Sequence, residues 1–197
     1  MLDEYQARVW EPKPAEFLRR RGLSHSTVAR FGLGYTGDDQ FVGAQDVSDC
    51  LVIPYEDGLG RVRQLRYRPL HKTKQKYITI SGEKGHIFAV RAADFSTVTI
   101  CEGEIDAMSC WQSGVKAIAI PGANVWQDSW KWLLRNARRV VLALDPDDAG
   151  VGAARAMYAS ISDVAPVDVV HLPEFMDVND VLVQKGEAAV RDLLGVV

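Results

Sequence analysis

The chain has 197 residues, of which 47% are hydrophobic and 25% are charged. This length allows one ordinary domain or two small ones, and the composition is that of a globular protein, which excludes disordered, collagenous and coiled-coil classes. The net charge of −3 is unevenly spread, because residues 1–100 carry 15 Lys and Arg against 12 Asp and Glu, whereas residues 101–197 carry 8 against 14. Such asymmetry indicates one half that binds an anion and another that concentrates carboxylates, although ordinary solvated faces would give the same counts.

The sequence carries no sign of membrane insertion, export or zinc binding. No apolar run approaches the ~20 residues that cross a bilayer, and the acidic start, residues 1–4, lacks the basic and apolar regions of a signal peptide. The three cysteines, Cys50, Cys101 and Cys110, form no CxxC pair and have no His at a zinc-ligand spacing. We therefore expect a cytoplasmic protein with buried or half-buried thiols and no zinc.

The first part of the chain predicts a small module of helices and antiparallel strands. Its predicted elements are two short helices within 13–31, strands at 51–55 and 62–67 joined by a turn at 56–60, and strands at 77–80 and 86–90 joined by a turn at Gly82 and Gly85. In the helical part, Pro14 suits a first helical turn, Gly22 can end a helix and Ser24 can cap the next one.

After residue 93, short apolar strands alternate with helical stretches. The predicted strands are 97–101, 116–120, 139–144 and 167–171, and the predicted helices are 104–112, 127–136, 149–161 and 179–193. Continuously apolar strands separated by helices predict a parallel sheet covered on both faces and built from right-handed βαβ units. We place the domain boundary near residues 92–96, which makes 1–93 an N-terminal α+β module and 94–197 an α/β domain.

Acidic residues follow the predicted strands of the second domain. Glu102 and Asp106 follow the strand 97–101, Asp145 and Asp147 follow the strand 139–144, and Asp177 and Asn179 come after the strand 167–171 and its loop. Open α/β sheets bind ligands at the carboxyl ends of their strands, and carboxylates gathered there raise each other's pKa unless a cation neutralises them. Carboxylates select hard ions such as Mg²⁺, so the pattern predicts a metal site that handles phosphate.

Each acidic cluster also has a purely structural interpretation. Asp145 and Asp147 could form a helix cap and a turn, and Glu104 and Asp106 could complement the positive end of a helix dipole. Glu102 is harder to explain in this way, because a carboxylate that leaves a buried strand beside a glycine is poorly placed for solvent. Taken together, the three clusters favour a metal site.

Residues 61–76 form a basic segment without any Asp or Glu. Its charged residues are Arg61, Arg63, Arg66, Arg68, Lys72, Lys74 and Lys76. If no bulge intervenes, strand alternation puts Arg61 and Arg63 on one face and Arg66 and Arg68 on the other. The segment predicts a surface for nucleic-acid phosphates or nucleotide, and the alternative is a solvated edge strand protected by basic residues.

The acidic motifs closely resemble the Toprim domain of DnaG-type bacterial and phage primases. The family signature is EGxxDxxxxxxxG, followed by a strand that ends in DxDxAG. Here the first motif runs from Glu102 through Asp106 to Gly114, and the second is DPDDAG at residues 145–150. Toprim motifs also occur in topoisomerases, recombination proteins and nucleases, so they identify a metal-phosphate fold more firmly than a reaction.

The resemblance extends over almost the whole chain. Segment 17–24 is similar to the helical start of primase catalytic cores, segment 60–77 to the strand-rich part that precedes Toprim, and segment 172–182 to the acidic motif that closes the domain. Two residues depart from the family pattern. Met176 stands where a basic or small polar residue is common, and Asn179 stands where a carboxylate is often found.

The resemblance implies a Toprim-type parallel sheet flanked by helices and preceded by a small α+β strand-rich module. The implied activity is that of a DNA-directed RNA primase core, an enzyme that makes short RNA primers on single-stranded DNA in DNA replication. The implied catalytic residues are Glu102, Asp145 and Asp147, which would share the principal Mg²⁺ or Mn²⁺. The implied members of a second, weaker metal cluster are Asp106, Asp177 and Asn179. The basic segment assigns the binding of nucleic acid and nucleotide to Arg61, Arg66, Arg68, Lys72, Lys74 and Lys76, and by the resemblance Arg68 and Lys76 match basic positions of the primase core.

The implied partners are a single-stranded DNA template and nucleoside triphosphates, with no membrane. Primases of this type usually carry zinc-binding and helicase-binding parts. The resemblance therefore further implies either a replicative helicase and a separate zinc-binding primase chain as partners, or a chain that is a fragment of a longer primase. The implied compartment is the cytoplasm, which is the host's if the protein is of phage origin. Two other functions stay open. A Toprim-type metal-dependent nuclease would share the acidic residues, and a non-catalytic module would bind single-stranded nucleic acid without forming product.

Overall fold

The computed structural model describes residues 1–38, 40–78, 80, 85–120, 122 and 125–195. The chain divides into two compact units, Met1–Lys84 and Gly85–Val197. This division lies upstream of the boundary predicted near residues 92–96, because Phe88 already pairs with Ala119 inside the second unit. No helix in the described part of the chain has the length and apolar character to span a bilayer.

The first unit begins with three short helices. They are α1, Leu2–Ala7, α2, Pro12–Arg20, and α3, His25–Arg30. Pro14 lies in the first turn of α2, and the Ser24 side chain caps α3 by accepting the N–H of Thr27. Gly22, between these two helices, has a φ of +65°, which a residue without Cβ adopts at little cost. The two helices predicted within 13–31 are thus confirmed, whereas α1 was not predicted.

The strands of the first unit form two antiparallel sheets. They are β1, Gly34–Tyr35, β2, Phe41–Val42, β3, Gln45–Asp46, β4, Cys50–Glu56, and β5, Val62–Pro69. The larger sheet has the order β1-β4-β5, and β2 pairs with β3. Asp57 in the β4–β5 turn accepts the N–H groups of Leu59 and Arg61, which closes the predicted hairpin. One buried hydrophobic cluster of this unit is made by Tyr5, Val47, Cys50, Val52 and Tyr67.

The second predicted hairpin, 77–80 with 86–90, is not formed at its described residues. Ile78 pairs with Tyr67 of β5, whereas Phe88 pairs with Ala119. Phe88 and Ala119 exchange both backbone hydrogen bonds, at 2.9 and 3.1 Å. Each segment therefore extends the edge of a different existing sheet. The predicted turn residue Gly82 lies outside the described residues.

The second unit is a four-stranded parallel sheet with helices between its strands. Its elements are a 3₁₀ helix at Val90–Asp94, β6, Thr97–Cys101, α4, Glu104–Gln112, β7, Ala117–Ala119, a 3₁₀ helix at Asp128–Leu134, β8, Arg139–Ala143, α5, Asp148–Ile161, β9, Val167–Val169, and α6, Val178–Leu194. The strand order is β7-β6-β8-β9, and every pair is parallel. The predicted parallel sheet is therefore confirmed.

Strands β6 and β8 lie in the middle of this sheet and are buried on both faces. On one face, Val98, Ile100, Val140 and Leu142 pack with α5 through residues that include Met157. On β6, residues 98–101 are all fully buried, including the polar Thr99, as is typical of a central strand in a parallel sheet that is covered on both faces. Helices α4 and α6 pack against each other, and α6 is kinked at Gly186, whose φ is +83°.

Candidate active site

Two of the predicted acids follow strands that are paired side by side. Cys101 at the end of β6 is paired with Ala143 at the end of β8. Glu102 follows Cys101 directly, and Asp145 lies two residues beyond Ala143. Because β6 and β8 are parallel, both acids leave the sheet at its carboxyl edge, where open α/β sheets bind their ligands.

The Cys101 thiol lies close enough to two of the acids for their charges to affect it. Its pKa is held well above the ordinary value, chiefly by the hydrogen bond with Cys110 and by burial, and the charges of Cys110, Asp106 and Asp145 raise it further. The two sulfur atoms are 3.7 Å apart. Asp106, in the first turn of α4, and Asp145, in the loop after β8, are therefore both within electrostatic reach of the end of β6.

The loop between β8 and α5 is held by a close approach of backbone to backbone. Asp147 is the N-cap of α5, and its Oδ1 accepts the N–H of Gly150 at 2.8 Å. A Cβ on Gly150 would lie 2.1 Å from the carbonyl oxygen of Asp145. The first turn of α5 can therefore lie against the Asp145 backbone only because residue 150 is glycine. The helix cap, which was the structural alternative to metal binding by Asp147, is thus present, and it uses one oxygen of the Asp147 carboxylate.

Asp106 and Asn179 form a buried link between α4 and α6. The Oδ1 of Asp106 accepts the backbone N–H of Asn179 at 3.0 Å, and the Asn179 Nδ2 donates to the Ser109 Oγ at 2.9 Å. Both Asp106 and Asn179 are buried, with exposed fractions of 8% and 1%. The Asp106 carboxylate thus lies at the N-terminus of α6, where free N–H groups and the helix dipole stabilise its charge.

Asp177, the remaining member of the predicted second cluster, is the N-cap of α6. Its Oδ1 accepts the N–H of Asp180 at 2.6 Å, and the Asp180 Oδ2 accepts the N–H of Asp177 at 3.3 Å. These reciprocal bonds form a capping box. The structure therefore gives Asp106, Asn179 and Asp177 bonds that begin α6 and attach it to α4, a role that the sequence did not predict.

The carboxylates that follow β6 and β8 are of the type that binds a divalent cation. Glu102, Asp145 and Asp147 offer carboxylate oxygens, which hard cations prefer, and the Oε2 atom of Glu102 is buried. Among the described residues, no three His, Cys, Asp or Glu side chains form a ready-made metal-binding group. The fit of Glu102, Asp145 and Asp147 to such a cation therefore rests on their donor chemistry and on the paired strands that they follow.

A cavity of about 540 Å³ adjoins Asp145. One wall is formed by Val151, Arg155 and Tyr158 of α5, and the opposite wall includes His171 after β9. This volume is in the range of small-molecule sites. No sequence motif marks these residues, although Val151, Arg155 and Tyr158 have the i, i+4, i+7 spacing that puts side chains on one face of a helix.

The arginines of β5 are held by aromatic side chains of the first unit. The Arg66 guanidinium lies 4.2 Å from the centroid of the Tyr77 ring, and it donates to the Tyr55 Oη at 3.0 Å. Arg68 donates to the Tyr77 Oη at 2.8 Å and lies 5.3 Å from the centroid of the Phe17 ring. Cation–π contacts and hydrogen bonds restrict both guanidinium groups, so less entropy is lost when they bind phosphate.

The start of β5 differs from a regular strand. A β-bulge between Tyr55 and Glu56 of the partner strand breaks the pairing, so the faces of Arg61 and Arg63 do not follow from simple alternation. Arg61 forms an ion pair of 2.8 Å with Asp57 in the hairpin turn. Beyond β5, the residues predicted to bind phosphate are Lys72, Lys74 and Lys76, and all three are exposed.

Comparisons with known proteins bear on the family. A family model described as Toprim-like matches residues 99–182. The Gene 57 protein of Mycobacterium phage D29 is 30% identical over 149 residues, a match that covers 73% of this chain and 96% of the phage protein. A DNA primase of Clostridium acetobutylicum is 24% identical over 220 aligned positions, which cover 92% of this chain and 37% of the primase. The chain thus spans well under half the length of this bacterial relative.

The fold is similar to that of a DnaG primase catalytic domain solved in a complex with single-stranded DNA. The TM-score is 0.81 at 22% identity, and the match covers 98% of this chain and 75% of that one. At this identity the similarity shows the fold. The chain therefore belongs to the same family as the phage D29 Gene 57 protein, carries a Toprim-like domain at 99–182 and has the fold of DnaG-type primase catalytic cores.

Proposed function

We propose that this chain is the catalytic part of a DNA-directed RNA primase that synthesises short RNA primers on single-stranded DNA. The observation that carries this proposal is the exit of Glu102 and Asp145 from paired parallel strands at the carboxyl edge of a Toprim-type sheet. The close packing of Gly150 on Asp145 supports it, because it holds one of these acids in place.

The proposed reaction is nucleotidyl transfer, in which a 3′-hydroxyl attacks the α-phosphate of a nucleoside triphosphate and pyrophosphate leaves. Glu102 orients the attacking hydroxyl and accepts its proton, a role that suits a carboxylate with one buried oxygen. Mg²⁺ or Mn²⁺, held by Glu102, Asp145 and Asp147, would supply positive charge that offsets the charge developing on the phosphates. Asp147 also caps α5 and so fixes the direction in which the helix leaves the site.

We assign phosphate binding to the basic residues of β5 and the segment that follows it. Arg66 and Arg68 are restricted by Tyr55, Tyr77 and Phe17, so they are the strongest candidates for ordered contacts with phosphate. Arg61 contributes less, because its guanidinium already pairs with Asp57. The exposed Lys72, Lys74 and Lys76 add positive charge, and salt screens the attraction of this charge for phosphate. That a similar DnaG domain has been solved with single-stranded DNA supports the template as the ligand.

Asp106, Asp177 and Asn179 are assigned first to holding α6 in place. A cation bound by all three would compete with the hydrogen bond from the Asn179 N–H to the Asp106 carboxylate. We therefore propose that any second cation at Asp106 and Asp177 binds more weakly than the principal one. Initiation would depend on a zinc-binding primase chain and a replicative helicase, in the cytoplasm of the cell or of a phage host.

The test compares wild type with two neighbouring variants, Asp145→Asn and Asp148→Asn. Asp148 is an exposed acid at the first position of α5, three residues from Asp145, so it controls for the loss of one negative charge. Each protein is incubated with mixed-sequence single-stranded DNA, labelled nucleoside triphosphates and Mg²⁺ or Mn²⁺, with and without a complementary primer. We expect short metal-dependent products that Asp145→Asn abolishes and Asp148→Asn retains.

The other outcomes discriminate between the functions. Products that form only with a primer would show a templated polymerase whose initiation resides in another chain. Degradation of the template would identify a nuclease, and binding without product or degradation would identify a non-catalytic module. Retention of synthesis by Asp145→Asn would contradict the proposed site.

A further inference from the structure

The loop between β9 and α6 presents a phenylalanine ring to solvent. Phe175 is 88% exposed, the highest value among the large hydrophobic side chains of the described residues. A ring in this position removes almost no apolar surface from water, so it contributes nothing to the hydrophobic stabilisation of the fold. Folding alone therefore does not explain why an aromatic residue stands here.

The backbone at Phe175 is also unfavourable for a residue with a side chain. The N–H of Met176 donates to the carbonyl of Pro173 at 3.1 Å, which closes a four-residue turn with Phe175 in third position. The φ of Phe175 is +61°, and turns with a left-handed third residue favour Gly or Asn. Backbone strain and maximal exposure thus coincide at one residue, a combination that is typical of functional positions.

The turn is anchored to the carboxylate edge of the sheet. Two residues after Phe175, Asp177 begins α6 through its capping box. The first turn of α6 also holds Asp106 through the Asn179 N–H, and the Asp106 Oδ2 lies 2.8 Å from where a Cβ on Gly103 would be, next to Glu102. These contacts all lie within the second unit, and they connect the turn that carries Phe175 with the segment that carries Glu102.

We propose that Phe175 is a stacking platform for a nucleobase at this edge of the sheet. Aromatic rings stack on bases of any sequence, because every base has a π-face. The neighbouring acids Glu174 and Asp177 disfavour contact with phosphate or with an anionic membrane surface, but they do not hinder stacking on the uncharged face of a base. The base belongs either to an incoming nucleotide or to single-stranded DNA, and this inference rests on the proposed function.

Two substitutions separate the ring from the backbone strain. Phe175→Asn removes the ring and suits a positive φ, so we expect the Tm to rise by roughly 2–4 °C while the affinity for base-containing ligand falls about 5- to 100-fold. Phe175→Trp keeps a stacking surface and should bind within about twofold of wild type. Val183→Ala, at an exposed apolar residue of α6, is the matched control and should change neither quantity.

Binding is measured in two arms, each without primer synthesis. One arm follows the fluorescence anisotropy of labelled single-stranded DNA, and the other follows calorimetric binding of a non-hydrolysable ATP analogue with Mg²⁺. A loss in the first arm assigns the ring to the template, and a loss in the second assigns it to the nucleotide. If Phe175→Asn binds both ligands like wild type, or if the wild type binds neither, the stacking inference is wrong.

The binding measurements on the Phe175 variants can support or refute stacking whatever the outcome of the primer-synthesis assay. A wild type that neither makes primers nor extends a supplied primer, but whose binding falls in Phe175→Asn and persists in Phe175→Trp, would support stacking and contradict the proposed enzymatic function. Primer synthesis by the wild type, together with unchanged ligand binding by Phe175→Asn, would support the proposed enzymatic function and contradict stacking. A Phe175→Asn variant with a lower Tm would refute the argument from backbone strain.

Discussion

Gly150 offers the sharpest test of how the β8–α5 loop is held. Replacing glycine with alanine inside a helix ordinarily stabilises a protein by about 0.5–1 kcal/mol, because alanine restricts the unfolded chain. At Gly150, however, the new Cβ would lie 2.1 Å from the Asp145 carbonyl oxygen, 3.0 Å from its carbonyl carbon and 3.1 Å from its nitrogen. The neighbouring atoms are all backbone, so no side chain can rotate to relieve the overlap.

The expected cost follows from these contacts. Overpacking of this kind costs about 1–3 kcal/mol, and displacement of the first turn of α5 weakens the N-cap bond from Gly150 to Asp147, a bond of a type worth about 1 kcal/mol. After subtraction of the ordinary alanine gain, we expect Gly150→Ala to lower the free energy of unfolding by about 1–3 kcal/mol, which corresponds to a fall in Tm of roughly 3–10 °C. Metal-dependent synthesis should fall as well, because Asp145 moves.

Gly152 provides the matched control within the same helix. A Cβ at Gly152 has no neighbouring atom within 4 Å, so Gly152→Ala should raise the Tm by roughly 1–4 °C and leave synthesis unchanged. Thermal unfolding followed by circular dichroism measures both variants under identical conditions. If Gly150→Ala proves as stable as Gly152→Ala, the backbone contact between α5 and Asp145 does not exist as described.

Three further predictions concern single side chains. Asp147→Asn keeps a cap acceptor, so its Tm should stay within about 2 °C of wild type while metal-dependent synthesis is lost, and full synthesis would remove Asp147 from the proposed ligands. Asn179→Ala removes the buried amide that donates to Ser109, and urea unfolding should show a loss of about 1–3 kcal/mol, whereas wild-type stability would contradict the buried link. A hydrogen bond from Lys13 is the largest cause that holds the pKa of Asp49 below its ordinary value. The ionised Asp49 carboxylate therefore stabilises the folded protein above the unfolded pKa of about 3.9, and this stabilisation is lost as the pH falls through the lower folded pKa. Asp49→Asn should thus be about 1 kcal/mol less stable than wild type at pH 7, with the difference vanishing on acidification, and parallel stability curves from pH 7 to 2 would rule this out.

The sequence by itself determined the layout of the second unit. Strands β6 and β8 were predictable because burial on both faces demands continuous apolar runs, and the acids after them were predictable because parallel strands share a carboxyl edge. The caps of α3 and α5 were equally predictable, since Ser24 and Asp147 act on N–H groups a few residues away. These features depend on neighbours along the chain, and their signals are therefore local.

Only the tertiary structure decided the features that join distant segments. The bond between Asp106 and Asn179 links residues 73 positions apart, and nothing local to either residue indicates the other. The pairing of Phe88 with Ala119 instead of with the preceding segment likewise depends on which sheet edge was available. Phe175 is the extreme case, because an aromatic residue reads as core in a sequence, and only the left-handed turn places its ring in solvent. Local patterns select helices, strands and caps, whereas long-range packing selects which of their side chains meet.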